Sequence, residues 1–215
     1  MNAGNSQNPH GEQPVLTIGE PLESVRAAAI LVHGRGANPE SILSLVPEVG
    51  QPGFAYFAPQ ADRYTWYPHS FLRPVEMNEP RLSLALAAID TVLAHIEAAR
   101  IPAEKVILLG FSQGACIVLE YAARNPRRYG GVVGFSGGLI GATISPHPGS
   151  MANTPVFLGS GDPDDHVPAS RVRESADVLA QMGAAVTTQL YPGIGHTIIQ
   201  DEIAIAKAMF AALVE

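Results

Sequence analysis

Lys105 to Arg124 reads KVILLGFSQGACIVLEYAAR. Its first part, KVILLGF, is apolar, rich in β-branched residues and too short for an apolar helix, which predicts a buried strand. Its last part, ACIVLEYAAR, predicts a helix closed by Asn125 and Pro126. Between them lies Gly110-Phe111-Ser112-Gln113-Gly114, a GxSxG pentapeptide. A strand running into this serine and a helix running out of it leave the hydroxyl at the strand's carboxyl end, beside a helix amino terminus. Glycines on both sides relieve crowding at so sharp a turn.

Reading outward, the same alternation recurs. Ala27–His33 (AAAILVH) is a continuous apolar run that reads as a buried strand, and a short helix is expected near Ser41–Val46. Phe54–Ala58 predicts a second strand. A long helix starts near Glu79, with Leu82, Leu86, Ile89, Leu93 and Ile96 spaced along one face, and ends at Pro102. After the GxSxG unit come strands at Val132–Phe135, Pro155–Gly159 and Val186–Tyr191, with helices at Ser170–Met182 and Asp201–Leu213. Strands alternating with helices require crossover connections, hence a mainly parallel sheet covered on both faces. The expected class is α/β with three layers.

Length and composition agree. The chain has 215 residues, 47% hydrophobic and 15% charged, against about 25% charged in an average soluble protein. That suits one compact domain over 15–215, preceded by a loose polar tail over 1–14 (MNAGNSQNPHGEQP) that lacks the pattern of a secretory signal. A formal charge of −7 without any basic run argues against nucleic acid as a partner. One cysteine excludes an intrachain disulfide, and no window suits a membrane span, so a cytoplasmic location is expected. Oligomeric state is open, a homodimer included.

A second GxSxG, centred on Ser136, follows the Val132–Phe135 strand, but the next residues, GGLIGATISPHPGSMANTP, are too rich in Gly and Pro for an elbow helix. Ser112 is therefore the candidate nucleophile. Serine needs a base, and the base needs an orienting group. His196, in YPGIGHTI, directly follows the last strand. Asp164, in GSGDPDDHVP, follows the preceding one, with Asp162 and Asp165 as rivals within reach. The chain order Ser, Asp, His is that of α/β-hydrolases, and all three fall past strand ends, where open parallel sheets place ligands. Gln113, at the start of the elbow helix, offers a backbone N–H to an oxyanion.

Together HGRGAN, APQ, GFSQGA, GFSGGL, GxxDxxVP and YPGIGHTI resemble the small carboxylesterase family that includes bacterial carboxylesterases, lysophospholipase-like enzymes and acyl-protein thioesterases. The resemblance covers nearly the whole chain after the tail. It implies an α/β-hydrolase fold, selects Asp164 by its place four residues before Pro168, and assigns the second oxyanion donor to the backbone of Arg35. Gly34 and Gly36 let that loop bend toward substrate.

The irregular segment from Ala61 to Asn78 is long for a compact domain and carries Tyr64, Trp66, Tyr67 and Phe71, enough apolar area for a pocket wall. Trp66 and Phe71 are expected to line the substrate pocket with Gly34. This loop departs from the eukaryotic thioesterase members, which favours a bacterial small-ester hydrolase. His33 is expected to fix a loop, and Cys116 to be a buried core group. No cofactor or metal is called for: Pro39 stands where a dinucleotide fingerprint needs its third glycine, and no His or Cys pair has metal-ligand spacing.

The expected function is a serine carboxylesterase acting on small or medium-chain esters through an acyl-enzyme, losing activity at acidic pH as His196 is protonated. With little chain left for a cap domain, the site should be open. Thioesterase or lysophospholipase chemistry on the same scaffold, and ligand capture with negligible turnover, are the alternatives.

Overall fold

The computed structural model describes residues 8–214. Strands β1 (Val15–Gly19), β2 (Ala27–Val32), β3 (Phe54–Pro59), β4 (Val106–Phe111), β5 (Gly131–Phe135), β6 (Pro155–Asp162) and β7 (Ala185–Pro192) form one sheet in the order β1-β3-β2-β4-β5-β6-β7. Only β1 runs antiparallel, pairing with β3; every other pair is parallel. The helices are α1 (Pro39–Leu43), α2 (Val46–Val49), α3 (Arg81–Ala98), α4 (Gln113–Arg124), α5 (Ala169–Gln181) and α6 (Gln200–Ala211). This is the α/β-hydrolase architecture, in three layers.

The central strands read as unbroken apolar runs because both faces are covered. Ala28, Ile30 and Val32 of β2 pack with Leu108, Val132 and Leu158 against α3, α4 and α5. Their alternates Ala27, Ala29 and Leu31 pack with Leu109, Val133 and Phe157 against α1, α2 and α6. From β2 the chain first moves outward to β3, then crosses back over β2 to β4. The strand order therefore reverses between β2 and β4, and the crevice at their carboxyl ends is the natural ligand site of such a sheet.

Several sequence expectations are corrected. Strand β1 escaped the reading because it is a short edge strand of five residues, mostly exposed, with only Leu16 packed partly against the core. The single helix expected at Ser41–Val46 is two short ones: Asn38 caps α1 by accepting from the Ser41 N–H at 3.0 Å, and the chain re-enters a helix at Val46. Strand β6 runs on to Asp162 because β7 pairs with it along its whole length.

The loose tail expected over 1–14 is folded from Asn8 onward; residues 1–7 lie outside the described residues. The Asn8 Nδ2 donates to the Leu84 carbonyl at 2.9 Å. His10 is only 2% exposed, and its Nδ1 accepts from the Asp62 N–H at 3.0 Å. Polar composition suggested solvation, but these side chains find buried partners. Among the described residues, no helix is long and apolar enough to cross a membrane.

Candidate active site

Ser112 stands between β4 and α4 with φ 55° and ψ −119°, a left-handed conformation that is costly for a residue with a Cβ. Its surroundings force the turn. A Cβ on Gly110 would overlap the backbone of Gly114 and Ala115, and one on Gly114 would overlap the Val32 and His33 carbonyls. Both flanking glycines of the pentapeptide are therefore required by close backbone approach. The Ser112 N–H donates to the Phe135 carbonyl at 2.9 Å, and its carbonyl accepts from Cys116 at 3.1 Å, which pins the turn on both sides.

The β7–α6 loop brings His196 to this serine: its Nε2 lies 2.8 Å from the Ser112 Oγ, and its Nδ1 lies 2.8 Å from the Asp164 Oδ2. The Asp164 side chain is fully buried, and its Oδ1 accepts from the His166 and Val167 N–H groups at 2.8 and 3.0 Å. Burial works to raise the carboxyl's pKa, but hydrogen bonds from His196, His166 and Val167 outweigh it and hold the group below its ordinary value. An ionised carboxylate only accepts, so Nδ1 carries the imidazole proton and Nε2 presents its lone pair to the serine hydroxyl. Neither Asp162 nor Asp165 has a side-chain bond to His196; the loop turn points Asp164 inward because two backbone N–H groups hold its other oxygen.

These residues open into a cavity of about 500 Å3 whose lining includes Gly34, Arg35, Phe71, Ser112, Gln113 and His196. Gly34 packs closely enough that a Cβ there would meet the Phe111 carbonyl and the Ser112 Cβ at 3.4 Å. Among the described residues, neither the Arg35 nor the Gln113 backbone N–H has a protein acceptor. They flank the serine from two elements, the loop after β2 and the first turn of α4, and remain available to an anionic oxygen.

Trp66 is not part of the lining. It is fully buried, and its Nε1 donates to the His33 carbonyl at 2.9 Å, so the expectation that it lines the pocket is wrong. An indole has a polar edge that needs an acceptor when buried, and here the acceptor lies beneath the Gly34–Arg35 loop. Phe71 and Gly34 do line the cavity, and Tyr67, two residues before His69, takes the place expected of the tryptophan. His33 fixes that loop: its Nε2 accepts from the Ala61 N–H at 3.1 Å, which leaves the proton on Nδ1 to donate to the Gly34 carbonyl at 2.8 Å. Burial lowers the His33 pKa and keeps the ring neutral.

Two neighbours escaped sequence reasoning. Phe111 lies against His196 with ring centroids 5.0 Å apart, and His166 meets the same ring edge-on at 4.6 Å. Their adjacency to Ser112 and Asp164 in the chain was the only available signal. Cys116 is buried at the cavity floor, and burial pushes its thiol up to about 11, which makes it an unreactive wall group. Ser136 has no exposure, its Oγ lacks a partner, and it is absent from the lining. No group of three or more His, Cys, Asp or Glu side chains among the described residues is arranged to hold a metal ion.

The sequence profile of the phospholipase/carboxylesterase family matches residues 14–214. The chain belongs to the phospholipase/carboxylesterase family. A phospholipase/carboxylesterase of Dyadobacter fermentans, solved as a crystal structure, superposes with a TM-score of 0.89 at 44% identity, covering 95% of this chain and 97% of that one. Acyl-protein thioesterase 1 of Gibberella zeae is 31% identical over 118 residues, 53% of this chain and 50% of that one. The chain thus spans about half the length of that curated relative. The same-named protein of Eremothecium gossypii is 30% identical over 163 residues, 71% of this chain and 67% of that one.

Proposed function

We propose that the protein is a serine hydrolase of carboxylic esters, with Ser112 as nucleophile, His196 as base, Asp164 as the group that orients and stabilises the imidazole, and the Arg35 and Gln113 N–H groups as oxyanion donors. The observation that carries this reading is the unbroken chain from Ser112 Oγ to His196 Nε2 and from His196 Nδ1 to Asp164 Oδ2, each link 2.8 Å.

In the first step the Ser112 Oγ bonds to the ester carbonyl carbon while its proton passes to His196 Nε2, and the carbonyl oxygen takes the electron pair against the two N–H groups. The Nε2 proton then moves to the alkoxy oxygen as the carbon–oxygen bond breaks, leaving an acyl-serine and an alcohol. Water repeats the sequence in reverse: His196 takes its proton, the acyl group leaves as an acid, and Ser112 recovers its hydrogen. The carboxylate of Asp164 stabilises the imidazolium in both halves. The described residues work as one domain, and the open cavity suits small or medium-chain esters. The single cysteine fits a cytoplasmic setting.

Thioester hydrolysis is the second reading, supported by the similarity to fungal acyl-protein thioesterases. The geometry serves both substrates, because the reacting carbonyl is the same and specificity lies in the cavity walls.

Fluorophosphonate labelling with peptide mapping tests the assignment. The expected result is a single adduct on Ser112, absent in Ser112→Ala, together with steady-state turnover of nitrophenyl esters. An adduct on Ser136, or labelling without turnover, would displace the proposal. Comparing kcat/KM for matched ester and thioester pairs separates the two readings.

A further inference from the structure

The cavity wall and the two oxyanion donors meet at one atom. The carbonyl oxygen of Tyr67 accepts from the Arg35 Nη2 at 2.9 Å and from the Gln113 Nε2 at 2.8 Å. Arg35 extends the tie on either side, donating from Nη1 to the Pro68 carbonyl at 2.9 Å and from Nη2 to the His69 carbonyl at 3.0 Å. Gln113 completes it: its Oε1 accepts from the Trp66 N–H at 2.9 Å, which fixes which end of the amide faces Tyr67. The side chains of the two residues whose backbone N–H groups stand open beside Ser112 are thus joined through a carbonyl of the wall segment Tyr67–His69.

We infer that the side chains of Arg35 and Gln113 are positioning groups that set the separation of their own backbone N–H groups by anchoring both to the Tyr67 carbonyl. The inference rests on the hydrolase reading above. Its physical basis is that an oxyanion site works through preorganisation: the donors must already stand where charge develops, because moving them during reaction would return the stabilisation as reorganisation. The pairing of β2 with β4 fixes the two segments as far as Val32 and Gly110, but Arg35 lies three residues farther along an irregular loop, beyond the sheet's hydrogen bonds. A guanidinium fork reaches three successive carbonyls at once, which an ammonium on a flexible stem does not. Gln113 is 5% exposed, so its half of the tie is shielded from water. The same carbonyl belongs to Tyr67, which lines the cavity, so a substrate that displaces the wall also disturbs the donors.

The test uses the full chain, with Arg35→Met as the principal variant because Arg35 is exposed and its loss leaves the core intact. Gln113→Met and the double variant complete a cycle, with thermal denaturation checking that each folds. Arg35→Met is expected to lower kcat for nitrophenyl butyrate about 10- to 100-fold with KM within about threefold, since misplacing a donor costs less than deleting one. The rate ratio of ester to matching thionoester should fall, because sulfur gains less from the donors than oxygen does. Amide hydrogen exchange at Trp66 should quicken, and the double variant should lose less than the product of the single losses, as expected of groups acting through one atom.

An unchanged kcat, a loss carried wholly by KM, an unchanged thionoester ratio, or strictly multiplicative losses would each overturn the inference while leaving an active wild type and the hydrolase reading in place. A wild type without Ser112-dependent turnover sinks the hydrolase reading, and the inference with it.

Discussion

The Trp66 Nε1 donates to the His33 backbone carbonyl at 2.9 Å, while the indole ring packs against two imidazoles, with ring centroids of His33 at 5.2 Å and of His10 at 5.4 Å. The tryptophan therefore supports the Gly34–Arg35 loop from beneath instead of meeting substrate. Trp66→Ala is expected to lower unfolding free energy by about 3–5 kcal/mol, combining lost burial with an orphaned carbonyl. The relative rates on a nitrophenyl ester series should stay unchanged in the folded fraction. Urea denaturation showing a loss below about 1 kcal/mol, or a reordered ester series, would return Trp66 to the pocket wall.

Phe71 is the aromatic residue of this loop that does meet the cavity. Its ring lies 6.0 Å from the Arg171 guanidinium, and its carbonyl accepts from the Gly141 N–H at 2.8 Å, so the backbone keeps its place when the ring is removed. Phe71→Ala should enlarge the cavity and raise the octanoate-to-acetate ratio of kcat/KM by about threefold or more, since a methylene in a pocket is worth about 1–3 kcal/mol. A constant ratio across chain lengths would show that the acyl group lies elsewhere.

Asp164→Asn preserves shape but removes the charge that selects the His196 tautomer. Its amide keeps an oxygen for the His166 and Val167 N–H groups, so the melting temperature should change little. The expected loss in kcat is about 10^3-fold or more. Because the Asp164 pKa lies below its ordinary value, the carboxyl is ionised near neutral pH, so the substitution removes a charge rather than a neutral acid. Wild-type rates near normal in Asp164→Asn would remove Asp164 from the mechanism.

His10 gives the fold an acid limit. Burial, with Arg81 nearby, lowers its pKa from 6.5 to about 4. Between those values the unfolded chain binds a proton that the folded one refuses, so stability is complete above the unfolded value and declines as pH falls toward 4. The decline attributable to this group is roughly 3 kcal/mol. In His10→Asn that portion of the slope should vanish when urea midpoints at pH 7 and pH 4.5 are compared; an unaltered slope would place the acid sensitivity in other groups.

Glu202 acts in the opposite direction. It is 1% exposed, its Oε2 accepts from the Ile199 N–H at 3.0 Å, and its Oε1 has no partner. Burial raises its pKa from 4.5 to about 7. The folded state therefore holds a proton that the unfolded state releases, and stability falls as pH rises from 4.5 through 7. Glu202→Gln, neutral at every pH, should match wild type near pH 5 and exceed it by on the order of 2 kcal/mol at pH 8. Equal melting curves at pH 8 would refute this assignment.

Much of this fold is legible in the sequence. The apolar runs at Ala27–Val32 and Val106–Phe111 carry their burial in composition, because a strand covered on both faces is nearly continuously apolar. The contrast between Ser112 and Ser136 was equally local: one is followed by helix-forming residues, the other by Gly and Pro. Trp66 was misread for the converse reason. A tryptophan in a long loop has the same sequence signature whether its ring faces a cavity or the underside of a neighbouring loop. The edge strand β1 and the buried His10 were missed because their partners, β3 and Asp62, lie far along the chain.

The sequence by itself determined the alternation of buried strands and helices from β2 onward and the strand–turn–helix elbow at Ser112, since each follows from neighbours within a few positions. The family resemblance already pointed to Asp164, and the loop's composition to Phe71; only the tertiary structure decided that Tyr67 lines the wall while Trp66 supports it from beneath, and that one carbonyl joins Arg35 to Gln113. The physical reason is the range of the forces involved. Periodicity and turn chemistry act along the chain, whereas a hydrogen bond at 2.8 Å is set by where separate elements are packed.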